Sequence, residues 1–401
     1  MLTKRTLESI GLMVLVFLLI GSANSVWAQK IEKENPILLG ATLSITGKQA
    51  KAGTGQRNGI MIWVQEINER GGLLGRPVKA IFYDDMSDPG TGAKMMEKLV
   101  TEDKVDLILG PYGSAVSFSV STIAEKYRYP LLLPTASSEG IFARGYKYTF
   151  QIAPPIRSYY IGLFDIAKAK GLKTAAVIWS DTLFEKEVAQ KVLELSKKNN
   201  IQVVFQDEFP KASKDFTSLI LKAKGVSPDI FFAGASLPDS VLLVRQMKEI
   251  DLAPKIVAMT WGPTIPDFHH ALGKDGDAVI SDSWWEPIFA SPESKKFVEK
   301  YKAAFNETPE IHAGSGYCGG LVIEAAVKRA GSLDRERLRN ILSTMEIKTT
   351  YPGKYKVDET GLQIGHYNSI IQWQDGIRQI IWPKEISTAE IRYPFKPWKE
   401  R

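Results

Sequence analysis

Cysteine is nearly absent from this sequence: the 401 residues contain a single one, Cys318. One cysteine cannot form a disulfide within the chain, a cysteine-based zinc site or an iron–sulfur cluster. The four histidines do not stand in a metal-ligand spacing such as HExxH, and the neighbours His269 and His270 cannot both face one metal from a regular element. We therefore expect no metal and no cofactor.

The motifs of several enzyme classes are also missing. No GxSxG sequence is present, and Gly47-Lys48 lacks the upstream glycine and the following Ser or Thr of a phosphate-binding loop. Gly59 follows Gly53-Thr54-Gly55 one residue too late for a dinucleotide fingerprint. No histidine is expected near the serine-bearing loops described below. We expect a protein that is not an enzyme, with an exported hydrolase as the alternative.

Neither charge nor hydrophobicity is concentrated, apart from one N-terminal run. The 51 Lys and Arg exceed the 45 Asp and Glu by only six, scattered along the chain, which does not indicate a nucleic-acid partner. Residues 10–20 are apolar, follow Lys4 and Arg5, and precede Val26-Trp27-Ala28, a pattern typical of a secretory signal cut after Ala28. The run is shorter than the roughly 20 residues of a membrane span, although an uncleaved anchor is the alternative. We expect residues 1–28 to be removed and the rest to be exported.

What the sequence does contain is an alternation of short apolar runs and helical stretches. Strands are predicted at 37–43, 78–83, 105–109 and 131–133, with helices at 59–68, 93–100 and 116–127. The alternation resumes near Arg157 with a helix to about Lys170, followed by strands at 174–179, 203–205, 230–232 and 256–259 and helices at 185–198, 216–224 and 239–250. Further helices are predicted at 294–305, 313–330 and 335–345, then a hairpin around Asp375-Gly376.

This order predicts an α/β protein with two doubly wound parallel sheets, each covered by helices on both faces. A chain that returns to cover two earlier units crosses between them more than once, which makes a hinge of several crossovers. We assign residues 36–150 and about 283–340 to the first lobe, and residues 151–282 and about 341–385 to the second.

Two loops after predicted strands carry candidate ligand-binding residues. Tyr112, Gly113 and Ser114 follow the strand at 105–109, and residues 135–137 (Thr135, Ala136, Ser137) follow the strand at 131–133. In open α/β sheets, ligands bind at the carboxyl ends of strands. Hydroxyl groups and the N–H groups at a helix start bind anions, so we predict a small carboxylate-bearing ligand. The alternative is that Ser114 and Ser137 are ordinary helix caps.

The second half contributes further candidates at or just after predicted strand ends. Phe184, Trp261 and Trp284 would form an apolar wall for the body of the ligand, with ordinary core packing as the alternative for each. Asp181 is an acidic candidate, and its alternative is a loop residue or the cap of the helix at 185–198.

Several motifs resemble the branched-chain amino-acid-binding proteins of ABC transporters. They are NERGGLLGRPV at 68–78, Asp84-Asp85, Asp88-Pro89, Ile45-Thr46-Gly47, Gly110-Pro111 and the polar stretch at 135–137. The resemblance implies a type I periplasmic binding protein with two lobes, three hinge crossovers and a ligand in the cleft, which delivers cargo to an ABC permease in the inner membrane. It also implies that Ser114 and residues 135–137 hold the ligand carboxylate. A sensor of the same fold is the alternative, and we expect a monomer.

Two departures from the family's pattern bear on the ligand. The region where the family's second lobe offers an acid to the ligand amine reads MTWGP at 259–263, without an acid, and only Asp181 would replace it. Where the family often has an aromatic residue, Lys51 lies between two alanines. Because a buried unpaired ammonium is costly, Lys51 and Trp261 favour an organic acid with an aromatic or apolar body over an amino acid, which is the alternative ligand.

Overall fold

The computed structural model describes residues 35–211, 213–289 and 291–401. The predicted signal segment at 1–28 lies outside these residues. Within the described ranges, no helix combines the length and the hydropathy needed to cross a membrane.

The first sheet has five parallel strands in the order β2-β1-β3-β4-β5. The strands are β1 (Ile37–Leu43), β2 (Val78–Asp84), β3 (Leu107–Leu109), β4 (Leu131–Leu133) and β5 (Thr149–Gln151). The helices between them are α1 (Ala50–Glu69), α2 (Pro89–Thr101) and α3 (Ser114–Tyr127). The central strand β1 is buried at all but one position, as expected for a parallel strand with helices on both faces.

The second sheet has seven strands in the order β12-β11-β10-β9-β8-β6-β7. They are β6 (Thr174–Ser180), β7 (Gln202–Phe209), β8 (Ile230–Gly234), β9 (Ile256–Met259), β10 (Ile280–Ser283), β11 (Ser369–Gln374) and β12 (Ile377–Trp382). The associated helices are α4 (Ile161–Ala169), α5 (Leu183–Lys198), α6 (Thr217–Gly225), α7 (Leu237–Ile250) and α8 (Pro266–Leu272). Strands β6 to β10 are parallel, while β11 and β12 form an antiparallel hairpin that turns at Asp375-Gly376.

Three later helices return to the first sheet. They are α9 (Pro292–Phe305), α10 (Ile311–Ala330) and α11 (Arg335–Thr344), of which α10 packs along α1. The described chain therefore passes between the two sheets three times: after β5, after β10 and before β11. We call each sheet with its packed helices a lobe. The doubly wound α/β class is confirmed by this topology, while the lobe boundaries at 150, 282 and 340 stay predictions.

Helix α8 was not predicted from the sequence, and α1, β5 and β10 also differ from the sequence-based expectation. Helix α1 begins at Ala50 rather than at Gly59, because its glycines interrupt the apolar spacing that marks a helix. Strand β5 was not predicted and has only three residues. Strand β10 was not predicted because it reads ISDS; its Ser281 hydroxyl donates to the Thr260 carbonyl at 2.7 Å, so the polar side chain is buried without loss of a hydrogen bond.

Candidate ligand-binding cavity

A small cavity lies where the carboxyl ends of strands from both sheets meet. Its nine lining residues are Gln49, Tyr112, Gly113, Ser114, Thr135, Phe184, Trp261, Trp284 and His312. The cavity holds about 30 Å³ of free volume, which is room for about two water molecules. An organic ligand therefore enters only when the lobes or the lining side chains move apart.

Seven of the eleven residues predicted from the sequence line this cavity: Tyr112, Gly113, Ser114, Thr135, Phe184, Trp261 and Trp284. Ala136 and Ser137 are buried next to Thr135 without lining it, and the Ser137 hydroxyl lies 2.7 Å from that of Tyr159. Against expectation, Asp181 points away: its side chain is 55% exposed and pairs with Lys186 at 2.5 Å. The acid expected to face a ligand thus belongs to the surface.

Lys51 also lies outside the cavity wall, contrary to the expectation from the sequence. Its ammonium lies 3.2 Å from Asp267 in α8 and 3.6 Å from Glu307, which precedes α10. It borders a separate crevice of about 570 Å³ between the lobes. Because Lys51 belongs to α1 and Asp267 to α8, this ion pair joins the two lobes, and Gln49 occupies the cavity in its place.

The N-terminus of α3 forms one end of the cavity and is built to receive an anion. Gly113 precedes the helix with a φ of +83°, and a Cβ there would lie 2.6 Å from the Gln49 side-chain oxygen, so only glycine fits. The Ser114 hydroxyl accepts the Ser138 N–H at 3.3 Å, which leaves its own hydrogen free to donate. Among the described residues, the N–H groups of Ser114 and Ala115 have no acceptor.

A second part of the wall is a hydrogen-bonded chain that the sequence analysis missed. The Tyr112 hydroxyl lies 3.2 Å from Nε2 of His312, and Nδ1 of His312 lies 2.5 Å from Oε2 of Glu310. The Glu310 carboxylate also accepts the N–H groups of His312 and Ala313, at 2.8 and 3.0 Å, and so caps α10. Since the carboxylate already accepts these bonds, Nδ1 is the donor to it.

Two tryptophans complete the wall with their ring faces, because their N–H groups are bonded elsewhere. The Trp261 N–H donates to Glu185 at 3.1 Å, and the Trp284 N–H lies 3.1 Å from both the Ser315 and the Tyr351 hydroxyls. Glu185 is buried, and burial raises its pKa to about 7. From the sequence, Glu185 was expected at a helix start, and its contact with Trp261 was not predicted.

Polar contacts hold the lobes together around the cavity. Lys48, just before α1, lies 2.7 Å from Asp239 in α7 of the second lobe. Glu187 of α5 accepts the N–H of Glu139 at 2.9 Å and the hydroxyl of Ser138, both in the first lobe. Together with the Lys51–Asp267 ion pair, these contacts join the two lobes, so the cleft between them is closed.

Comparisons with known proteins identify the family. A family model described as "Periplasmic binding protein" matches residues 36–377, and the chain belongs to that family. Leu/Ile/Val-binding protein homolog 7 of Brucella suis biovar 1 (strain 1330) is 25% identical over 377 residues, covering 89% of this chain and 94% of that protein. The resemblance drawn from the sequence motifs is thereby confirmed.

Two solved structures show the same fold. The branched-chain amino acid transporter substrate binding protein LivJ of Streptococcus pneumoniae, in complex with isoleucine, has a TM-score of 0.79 and 21% identity and covers 90% of this chain and 100% of its own. An ABC transporter solute binding protein from R. palustris, in complex with benzoate, also has a TM-score of 0.79, with 20% identity, covering 86% of this chain and 96% of its own.

Proposed function

We propose that this chain is the substrate-binding component of an ABC importer, and that its cargo is a small organic acid, preferably an aromatic one. After export and cleavage near Ala28, the monomer closes its lobes around the cargo in the periplasm and passes it, chemically unaltered, to a permease in the inner membrane. One observation carries the proposal. The nine cavity-lining residues offer hydrogen-bond donors to a carboxylate and include no acidic side chain to pair with an amine.

The carboxylate is best placed at the start of α3. There the Ser114 hydroxyl and the free N–H groups of the first helical turn are available, and the helix macrodipole adds a positive partial charge. A hydrogen bond to a charged group contributes about 1.5–3 kcal/mol, more than a neutral one.

The body of the cargo faces aromatic rings. Phe184, Trp261 and Trp284 lie on the wall that the second lobe and its crossover supply, and flat rings favour a flat apolar partner. A ligand held by Ser114 in the first lobe and by the rings of Phe184 and Trp261 in the second stabilises the closed form, because only that form makes both sets of contacts.

An amino acid would leave its ammonium group without a partner in this arrangement. The two acids nearest the wall stand behind aromatic rings: Glu185 accepts the Trp261 N–H and Glu310 accepts from His312. Exposing either acid to a ligand breaks these bonds, and burying an unpaired ammonium is costly. The benzoate complex of the R. palustris protein supports an aromatic acid on the same fold.

A branched-chain or other amino acid is the second candidate cargo. The name of the Brucella relative and the isoleucine complex of LivJ favour it. The two candidates differ in what they demand of the cavity, since an amino acid requires a negative partner and an aromatic acid does not.

Calorimetric titration of protein that was unfolded, freed of retained ligand and refolded tests the proposal. We expect benzoate to bind and leucine to bind at least about tenfold more weakly, because the ammonium finds no partner. The variant Ser114→Ala is expected to bind benzoate about 10- to 100-fold more weakly, since it loses one charge-assisted hydrogen bond.

Ser119→Ala is the matched control, because Ser119 lies on the same helix but does not line the cavity. It should leave the affinity for benzoate unchanged. Tighter binding of leucine than of benzoate would show that the cargo is an amino acid. Sustained hydrolysis of candidate esters by the purified protein would support the hydrolase alternative instead.

A further inference from the structure

The cavity wall contains no permanent positive charge to balance a carboxylate. None of its nine lining residues is Lys or Arg, and His312 is the one basic side chain among them. An anion in a closed cavity of low polarity favours the protonated form of a nearby base. His312 is therefore the group in the wall that can become a counter-ion.

The geometry already prepares His312 for this role. Glu310 accepts the proton on Nδ1, and the Tyr112 hydroxyl occupies Nε2, so both ring nitrogens are held in place. The rings of Tyr112, Trp261 and His312 meet edge to face, with centroids 5.1 to 6.4 Å apart, and His312 is 1% exposed.

We infer that His312 takes up a proton when a carboxylate ligand binds, and that Tyr112 transmits the change to the ligand. While Nε2 is unprotonated, the Tyr112 hydroxyl donates to it, and the hydroxyl oxygen offers only lone pairs to the cavity. Once Nε2 carries a proton, it donates to the Tyr112 oxygen. The hydroxyl hydrogen is then free to turn to the ligand carboxylate. One proton from solvent thus supplies a positive charge and a new donor.

Other charged and titratable groups lie within electrostatic reach of Tyr112 or of the carboxylates Glu310 and Glu185 near it. They are Glu310 before α10, Glu185 in α5, Glu286 in the crossover after β10, Tyr301 in α9, Tyr351 before β11 and Lys48 before α1. Of these, Glu185 is the main competitor, because its pKa of about 7 allows it to take up a proton as well. It stands behind Trp261, however, whereas His312 lines the cavity itself.

The inference rests on the proposed organic-acid cargo and is tested by titrating benzoate into the protein at pH 8 in buffers of different ionisation enthalpy. The dependence of the observed heat on the buffer gives the number of protons taken up. We expect about half a proton or more for the unmodified protein, and an affinity that falls by up to about tenfold per pH unit between pH 7 and 9. Benzoate itself stays ionised in this range.

Three variants assign the proton. His312→Gln is expected to bind benzoate with most of the proton uptake lost, whereas Glu185→Gln should keep it. His270→Gln, an exposed histidine outside the cavity, should match the unmodified protein. If His312→Gln does not fold, ¹⁵N NMR of the imidazole nitrogens in the unmodified protein, with and without benzoate, shows whether His312 becomes doubly protonated.

Three results would overturn the inference, and they are distinguishable from one another. Benzoate binding with the same heat in every buffer would refute the proton uptake while leaving the organic-acid cargo intact. Proton uptake that disappears in Glu185→Gln but persists in His312→Gln would assign the proton to Glu185 and contradict the role of His312. Absence of any binding heat with benzoate would instead refute the proposed cargo, and the inference with it.

Discussion

Replacing Gly59 with alanine is expected to lower the free energy of unfolding by about 3 kcal/mol, measured by urea denaturation. Helices α1 and α10 touch backbone to backbone at this point. A Cβ on Gly59 would lie 1.9 Å from the carbonyl oxygen of Ala313, and one on Gly316 would lie 2.1 Å from that of Gln56. A backbone atom cannot rotate aside as a side chain can, so the helices must separate. The loss should outweigh the gain of about 1 kcal/mol in helix propensity.

Gly225→Ala is the matched control, because Gly225 is also helical and a Cβ there meets no atom within 4 Å. Its stability should change by less than about 1 kcal/mol, toward greater stability. Helix α10 also carries His312, so Gly59→Ala should weaken benzoate binding in the fraction that remains folded. Equal urea midpoints for Gly59→Ala and the unmodified protein would mean that the two helices separate at little cost.

The tight packing of α1 against α10 also explains why the start of α1 could not be predicted from the sequence. The strands and most helices could be predicted, because apolar runs of 4–8 residues and helical spacing are local signals. Gly53, Gly55 and Gly59 weaken the same signal in α1, because close contact requires glycine at these positions: a Cβ on Gly53 or Gly59 would meet neighbouring backbone, and one on Gly55 would meet the Glu310 carboxylate. A single sequence does not reveal which distant helix approaches that closely.

The cavity residues that follow strands could be predicted from the sequence. Those whose direction depends on where a helix begins could not. Ser114, Thr135 and Trp261 come directly after strands, and the carboxyl ends of parallel strands converge. In contrast, Lys51 was expected in the wall, but α1 begins at Ala50, which turns Lys51 outward while Gln49 faces Gly113.

The direction of the acidic side chains near the cavity could not be predicted from the sequence either. Asp181 was the candidate because it follows β6, yet it pairs with Lys186 at the surface. Glu185, four residues later in α5, is the acid that turns inward. His312 was missed because α10 begins two residues earlier than its apolar spacing suggested, and its partner Glu310 lies just before the helix. Each of these contacts either joins segments far apart in the chain or depends on the residue at which a helix begins. A single sequence reveals neither.

Replacing Glu185 with glutamine is expected to stabilise the protein in a pH-dependent way. Burial raises the pKa of Glu185 from the ordinary 4.5 to about 7, so between these values the folded state binds more protons than the unfolded state. The free energy of unfolding of the unmodified protein therefore falls as pH rises through this window, by about 3 kcal/mol from this group. Glutamine cannot ionise and still offers an oxygen to the Trp261 N–H. Its stabilising effect should be about 2.5 kcal/mol larger at pH 8 than at pH 5.

Urea denaturation at both pH values measures this difference, with Glu194→Gln as the control on the exposed side of the same helix. The control should follow the unmodified protein at both pH values, because a carboxylate in water loses no hydration on folding. If Glu185→Gln is equally stabilising at pH 5 and pH 8, ionisation of Glu185 does not oppose folding. A pH-dependent gain, in contrast, means that the second lobe keeps a neutral carboxyl behind Trp261 below pH 7. That neutrality favours an anionic ligand on the other side of the ring, since no negative charge then repels it.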